Sequence, residues 1–577
     1  MSTFDFDAIR TWIADDPDPT TATEIADLLA RTEKGDNAAE ADLADRFSSR
    51  LEFGTAGLRG QLGGGPNRMN RAVVIRAAAG LVSFLKERTG GNDTGTADAT
   101  GEPFTVVIGY DARYGSHQFA LDTAAVAVAA GGRALLLPRP LPTPIAAFAL
   151  RHLNADAAVV VTASHNPPQD NGYKVYLGGR VVTDAGQGTQ IVPPFDREIY
   201  EAILAVPSVA SVPRAESGWE ILGEDIIEAY IQRAISLVDS REKNVRIVLT
   251  SMHGVGGETM VTALERAGFH DIHVVAAQHD PNPDFPTVAF PNPEEPGALD
   301  LSFALARDVD ADIILANDPD ADRCSMAIPD PNSPDGWRQL AGDEVGALLG
   351  LRAAEAHADN PEAVLAASIV SSRLLSRIAT AHNVGFRATL TGFKWISRVP
   401  GIVYGYEEAL GYCIDPDYVR DKDGISACLR LADVVDSLKA QGQGVQFALD
   451  NLARTYGLHA TSPLSIRVDD LSIIGQGMAN LRASGVDSLA GSPVVEFTDL
   501  RAGSEDLPPT DGVWIRTEAD DRVVVRPSGT EPKLKCYCEV IIPLDPQASD
   551  EDVAQARTDA AARLEQVKAD IRSALGI

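Results

Sequence analysis

Two short segments stand out for what their side chains could do together. The first is Thr162-Ala163-Ser164-His165-Asn166-Pro167-Pro168, directly after the apolar run that ends at Val161. Open α/β sheets place their ligand sites at such strand ends. A serine beside a histidine there is a candidate nucleophile, although a serine in a loop is more often a cap or turn residue. No Gly-x-Ser-x-Gly elbow surrounds it, which speaks against a serine hydrolase. The second segment is Asp318-Pro319-Asp320-Ala321-Asp322-Arg323, again after an apolar run. Three carboxylates at every second position repel one another unless a cation compensates them. An all-oxygen donor set favours magnesium or calcium over zinc or copper. The glycine and glutamate that an EF-hand would place further along are absent, so magnesium with phosphate fits better than calcium. A solvated acidic turn is the plainer alternative.

Two further segments suit phosphate and sugar. In Arg526-Pro527-Ser528-Gly529-Thr530-Glu531-Pro532-Lys533, followed by Lys535, arginine offers a planar fork of donors. The Ser-Gly-Thr turn can aim backbone N–H groups and hydroxyls inward, and the lysines add charge. Gly405-Tyr406-Glu407-Glu408-Ala409-Leu410-Gly411 and Arg420-Asp421-Lys422-Asp423-Gly424 bring adjacent glutamates that could accept from sugar hydroxyls and a lysine that could shuttle protons. Taken alone, these are residues of any exposed loop. The glycine-rich stretch Phe53-Gly54-Thr55-Ala56-Gly57-Leu58-Arg59-Gly60 fits neither the P-loop nor the dinucleotide fingerprint, so nucleotide binding is not supported.

The elements that must position these loops are legible as apolar, β-branched runs alternating with helix-like stretches. The runs are 104–109, 157–161, 245–249, 272–276, 312–315 and 363–370. That alternation predicts α/β architecture with mainly parallel, mixed sheets. The last quarter changes character, with alternating segments at 462–468, 494–497, 513–517, 523–525 and 535–542 before a charged amphipathic stretch at 551–575. It predicts an α+β domain with an antiparallel sheet closed by a helix. Pro-rich or polar breaks divide the chain into four expected domains, 1–205, 206–330, 331–456 and 457–577, consistent with a length too great for one core. The Gly/Thr/Asp-rich stretch 90–102 reads as a surface loop.

Composition narrows the partners. A net charge of −32 argues against nucleic acid or an anionic membrane, because the summed field repels both. An anionic small substrate then needs a local basic cleft. Of only ten lysines, Lys174, Lys394, Lys422, Lys533 and Lys535 fall within or beside the motif segments. The five cysteines, in no metal or disulfide spacing, point to a reducing compartment and to structural roles. With no signal-like N-terminus and no apolar run long enough to span a bilayer, a cytoplasmic protein without an obligatory protein partner is expected.

In this order, Thr-Ala-Ser-His-Asn-Pro, Asp-Pro-Asp-Ala-Asp-Arg, the Glu-Glu loop and Arg-Pro-Ser-Gly-Thr-Glu-Pro resemble the α-D-phosphohexomutase family, which includes phosphoglucomutase and phosphomannomutase. The resemblance spans nearly the whole chain. It implies four domains around one central cleft, three α/β and a last one α+β. It makes Ser164 the carrier of the phosphoryl group and makes Asp318, Asp320 and Asp322 the holders, with Ser164, of one Mg²⁺. Arg59, His165, Lys174 and Arg323 match positions lining the reacting centre, and Lys422 matches the proposed general acid/base. Thr391, Gly392 and Lys394 match the sugar-recognition loop, Glu407 the sugar glutamate, and Arg526, Ser528, Gly529 and Thr530 the distal phosphate clamp, with Arg420 and Lys535 as further substrate contacts.

The activity implied is interconversion of the 1- and 6-phosphates of glucose or mannose through phosphoserine and a hexose 1,6-bisphosphate intermediate. Where many members carry a serine, this chain has Ala409, a lost hydroxyl contact worth about 1 kcal/mol. The wording of the 54–59, 392–395 and 407–412 segments is most similar to the branch containing phosphopentomutase and glucose-1,6-bisphosphate synthase. Phosphopentomutase is therefore the nearest rival. A binding protein without catalysis and a metal-assisted phosphatase are the readings outside this class.

Overall fold

The computed structural model describes residues 5–52, 57–90, 102–239, 241–468, 470–504, 507–528 and 533–577. The segment 91–101, and with it most of the expected surface loop at 90–102, lies outside the described residues, as do 53–56 and 529–532. The chain forms two compact units: Met1–Arg338 with Cys413–Asp433, and Gln339–Tyr412 with Val434–Ile577.

The first unit opens with three helices, Phe6–Asp15, Pro19–Thr32 and Asn37–Arg46, to which the sequence reading assigned no elements. Asp5, Asp18 and Asp36 cap them, each side chain accepting from backbone N–H groups of the first turn. Ile9, Ile25, Leu28, Leu29 and Leu43 form their own small core. Glu24 reaches out of this bundle to accept from the Gly64 N–H at 2.8 Å, bracing the chain just beyond Arg59.

Two sheets follow. The seven-stranded one has Thr105–Tyr110 paired in parallel with both Arg133–Leu136 and Ala157–Val161. Their residues are almost all buried, as expected of strands covered by helices on both faces. Asp170–Leu177 then pairs antiparallel to Ala157–Val161, and Leu58–Gln61 antiparallel to Asp170–Leu177. The second sheet has the order Trp337–Gln339, Ser325–Pro329, Ile313–Ala316, Lys243–Thr250, Phe269–Val274. Here the expected strand at 272–276 is corrected: pairing starts at Phe269 and stops at Val274, and Ala276–His279 is a helical turn. The chain bends there because Val275 N–H still donates to Leu249, while the Gln278 side chain turns in to accept from the Thr250 hydroxyl at 2.6 Å.

The second unit holds the other two sheets. Val364–Ser368 pairs in parallel with Gly385–Thr389 and Ile402–Glu407. The last sheet is antiparallel, running Leu458–Arg467, Lys533–Ile542, Arg522–Pro527, Val513–Thr517, Ser492–Asp499, Ser488–Leu489. One face is covered by Asp550–Leu575, whose Val553, Ala560, Leu564, Val567 and Ile571 recur at helical spacing and are buried. The thiols of Cys536 and Cys538 face this core together. All five cysteines are buried and free. Three sheets are thus mixed α/β and the fourth antiparallel. Among the described residues, no helix is long and apolar enough to cross a membrane.

Candidate active site

The site assembles in the first unit where two parallel strands end. Ala157–Val161 delivers the chain into a turn in which Ser164 takes a left-handed backbone, φ +53°. That conformation is uncommon for a residue with a Cβ and marks a constrained position. The Ser164 N–H donates to the Thr162 hydroxyl at 2.9 Å. The Ser164 hydroxyl donates to Asp318 Oδ2 at 2.9 Å, and His165 Nδ1 lies 3.2 Å from the same Oγ.

Ile313–Ala316 delivers the carboxylates. Ala321 is also left-handed, φ +54°, and the loop is gripped from two sides. Val255 N–H donates to Pro319 O at 2.8 Å, and a Cβ on Gly254 would lie 2.3 Å from Pro319 Cα. Gly424 N–H donates to Ala321 O at 3.2 Å, and a Cβ on Gly424 would lie 2.2 Å from Arg323 O. Only glycine permits either approach.

Asp318, Asp320 and Asp322 are buried, and one oxygen from each lies within 4.8 Å of the others. Asp320 Oδ1 and Asp322 Oδ1 have no hydrogen-bond partner. Buried carboxylate oxygens without partners are costly, and a hard cation would satisfy them. The donor set therefore fits a divalent metal bound through oxygen. Burial and the charges of Asp320 and Asp322 push the Asp318 carboxyl well above the usual range. Burial works the same way on Asp322, but Lys174, Lys422 and Arg323 outweigh it and hold this carboxyl below its usual value.

Positive charge surrounds the cluster. Lys174, on the strand Asp170–Leu177, donates to Asp320 Oδ2 and Asp322 Oδ2, both at 2.8 Å. Burial disfavours its charge, yet those two carboxylates keep it protonated. Lys422 Nζ lies 3.2 Å from Asp322 and 3.5 Å from Asp421. Arg323 Nε is 4.0 Å from Asp318, and Arg59 donates to Asn166 Oδ1 at 3.1 Å. Burial, with Arg323 and Arg59 nearby, pushes His165 well below its ordinary value, so its ring is neutral.

Several contributors went unnoticed in the sequence. Arg113 donates to the carbonyls of Ser164 and Asn166, each at 2.6 Å, and to those of Pro167 and Asp170 at 2.8 and 3.2 Å. It also pairs with Asp111 at 3.3 Å. Asp111-Ala112-Arg113 directly follows Tyr110, the last residue of an interior parallel strand. The signal that singled out Ser164 would have found it. Thr143 donates to Asp320 Oδ2 at 2.7 Å, and Asp421 accepts from Tyr176 at 2.6 Å and Gln190 at 2.7 Å. Arg420 is engaged with the backbone carbonyls of Ala185 and Pro416.

In the second unit, Arg526 donates to the Thr391 hydroxyl, and its strand neighbour across the ladder is Lys535. Ser528 N–H donates to Lys533 O at 2.8 Å. Lys394 Nζ lies 5.4 Å from the centroid of the Trp395 ring, beside Gly392 at φ +104°. Glu407 ends the strand Ile402–Glu407, and Ala409 sits in the turn beyond it. Gly529 and Thr530 lie outside the described residues.

Family models match four consecutive segments: phosphoglucomutase/phosphomannomutase α/β/α domain I at residues 50–208, domain II at 227–332, domain III at 341–456, and the C-terminal domain at 495–560. The chain is 43% identical over 474 residues to a protein of Haemophilus influenzae named probable phosphomannomutase, covering 82% of this chain and 93% of that one. It is 32% identical over 580 residues to the phosphopentomutase of Mus musculus, covering 92% and 89%. The fold matches the open form of Paramecium parafusin, a phosphoglucomutase, with TM-score 0.65 at 17% identity, covering 92% and 97%. The chain belongs to the phosphoglucomutase/phosphomannomutase (α-D-phosphohexomutase) family and is an isomerase of the phosphosugar mutase type.

Proposed function

We propose that the protein interconverts the 1-phosphate and 6-phosphate of a hexose, glucose or mannose, through a phosphoserine at Ser164. The observation that carries this is the Ser164 hydroxyl, 2.9 Å from Asp318 within a buried carboxylate triad that keeps two unpartnered oxygens. A serine so placed suits a phosphoryl carrier, and the turn around it lacks the Gly-x-Ser-x-Gly of a hydrolase elbow. Asp318, Asp320 and Asp322, with an oxygen of phosphorylated Ser164, would hold one Mg²⁺. Bound there, the ion offsets the negative charge of the transferring group.

The remaining work falls to the chain's own residues. The phosphoryl leaves Ser164 Oγ as its P–O bond breaks, and a P–O bond forms to the free hydroxyl of the sugar monophosphate. Lys422 Nζ, as the free amine in this step, takes the proton that this hydroxyl releases, and Ser164 Oγ keeps the electron pair of the broken bond until a phosphoryl returns. The bisphosphate then turns, and its other phosphoryl returns to Ser164 with Lys422 giving the proton back. Arg59, His165 and Arg323 donate to the phosphoryl oxygens in flight, a preorganised field in a buried site. Lys174 holds Asp320 and Asp322 in place. Thr391, Gly392, Lys394 and Glu407 are assigned to the sugar, with Ala409 supplying only contact, Arg526, Ser528, Gly529, Thr530 and Lys535 to the distal phosphate, and Arg420 to a further substrate contact. Hexose 1,6-bisphosphate serves as primer and intermediate. On the domain division 1–205, 206–330, 331–456 and 457–577, the first domain would supply Arg59 and the serine loop, the second the aspartates, the third the segments 391–394, 407–409 and 420–422, and the fourth the segment 526–535.

A pentose phosphate is the second reading, favoured by the 32% identity to a phosphopentomutase over 92% of this chain. Kinetics of purified protein on glucose-1-phosphate, mannose-1-phosphate and ribose-1-phosphate, each primed with the matching bisphosphate, separate the two. Highest kcat/KM on a hexose is expected. A preference for ribose-1-phosphate assigns the pentose, and release of inorganic phosphate without isomerised product would overturn the mutase reading.

A further inference from the structure

Glu408 differs in environment from its neighbour Glu407. It lies, half-buried, in the short connection between the strands Ile402–Glu407 and Gly411–Cys413, and its carboxylate is held by two buried serines. Glu408 Oε2 accepts from the Ser371 hydroxyl at 2.9 Å and the Ser368 hydroxyl at 3.1 Å, and those two oxygens are 2.8 Å apart. The Glu408 N–H donates to Ser371 Oγ at 3.1 Å, and Ser371 N–H to Ser368 Oγ at 3.2 Å. One side chain therefore ties this turn to the end of the neighbouring strand Val364–Ser368 through two serines.

The turn itself is constrained. Leu410 is buried with a left-handed backbone, φ +61°, and a Cβ on Gly342 would lie 1.9 Å from Glu408 O, so helix Gly342–Ala356 starts hard against it. A side chain spent on holding a strained turn, next to a residue that must face substrate, is a device for orientation.

We propose that Glu408 is a positioning residue for sugar recognition: gripped by Ser368 and Ser371, it fixes the turn so that Glu407 is presented to the sugar hydroxyls. This rests on the reading of Glu407 as the sugar glutamate. Burial, with the charges of Glu407 on its own strand and Asp343 on helix Gly342–Ala356, pushes the Glu408 carboxyl up to about 7. Ser368 and Ser371 face it as neutral donors. The grip therefore changes charge near neutrality, which gives the test a second readout.

The experiment measures kcat and KM for glucose-1-phosphate, primed with glucose 1,6-bisphosphate, from about pH 5.5 to about pH 8.5. The proteins are the wild type, Glu407→Ala, Glu408→Ala, Glu408→Gln and the double variant Ser368→Ala/Ser371→Ala. A contact made equally in ground and transition states moves KM rather than kcat. Loss of a charged grip is expected to raise KM about tenfold with kcat changed less than about threefold. Combining Glu408→Ala with the serine pair should add little, since both remove one interaction. Glu408→Gln keeps the shape and loses the ionisation, so an inflection of kcat/KM near pH 7 in the wild type should vanish.

If Glu407→Ala raises KM while Glu408→Ala and the serine pair leave it within about twofold, the inference is overturned and the sugar-glutamate reading stands. If Glu407→Ala leaves KM unchanged, that reading fails and takes the inference with it. Folding failure of Glu408→Ala shifts the decision to Glu408→Gln, whose unchanged pH profile would also overturn it.

Discussion

Replacing Arg113 with Met should disable the serine turn from behind without touching any reacting group. The guanidinium donates to four carbonyls of the Ser164–Asp170 segment at 2.6 to 3.2 Å and pairs with Asp111, which is buried. Hydrogen bonds to a charged donor are each worth about 1.5 to 3 kcal/mol, but four around one group do not add, and water can replace some of them. Stranding a buried partner costs about 3 to 5 kcal/mol. Burial already pushes the Asp111 carboxyl up, so it can take up a proton instead, which places the loss near the lower end, about 3 kcal/mol.

For a domain of 150 to 250 residues, about 3 kcal/mol lowers the thermal midpoint by roughly 6 to 12 °C. The larger effect should be on rate, because an ångström of drift at a nucleophile costs about 100-fold. Arg113→Lys restores charge against Asp111 from a single point but cannot reach four carbonyls. It should recover much of the stability and little of the activity. Differential scanning calorimetry and a coupled mutase assay check both. A Met variant melting within about 2 °C of wild type and turning over within about threefold would refute the reasoning.

Ser164→Ala should abolish mutase activity and leave the melting profile in place, because the hydroxyl belongs to a loop rather than to packing; near-normal turnover would sink the phosphoserine assignment. Mg²⁺ at about 100 times its Kd should stabilise the first unit by about 2.7 kcal/mol over protein in chelator, and Asp320→Asn should remove most of that gain; an unchanged midpoint with and without magnesium contradicts the metal reading. The raised Glu408 carboxyl predicts a pH effect of definite sign. Its contribution to the second unit is full below about pH 4.5 and is lost as pH rises through about 7, amounting to at most about 3 kcal/mol. Melting of Glu408→Gln across that range should be flatter than wild type, and a parallel pair of curves would count against it.

Much of the site was legible because its residues obey a local rule. Ser164 and Asp318 each follow an apolar run, and such runs become interior strands whose ends face ligands. Strand 157–161 needed no revision because five consecutive small or β-branched apolar residues admit little else. Legibility failed where a long-range partner decides. Ala276–His279 is helical because Gln278 answers Thr250, a contact 28 residues away that no window displays. Arg113 drew no reading: its place just beyond the strand Thr105–Tyr110 marked it as a site candidate, but its four acceptors, more than 50 residues downstream, gave no local sign of its role. The third helix is polar and leaves a faint trace, but in the first two Phe6, Ile9 and Ile13 and then Ile25, Leu28 and Leu29 recur at helical spacing behind their aspartate caps, a local signal that was present and went unread.

The excursion by which 413–433 leaves its neighbours in sequence and packs into the first unit sets a rule for dissecting the molecule. A fragment stopped at Arg338 would keep the serine and the three aspartates but would lack Lys422, Asp421 and the Gly424 contact that supports the aspartate loop. Such a truncation would carry the serine proposed as phosphoryl carrier without the lysine proposed to move the proton. Supplying 413–433 as a separate peptide would be complementation in the strict sense, since it would restore a missing reactive group and the backbone that seats it.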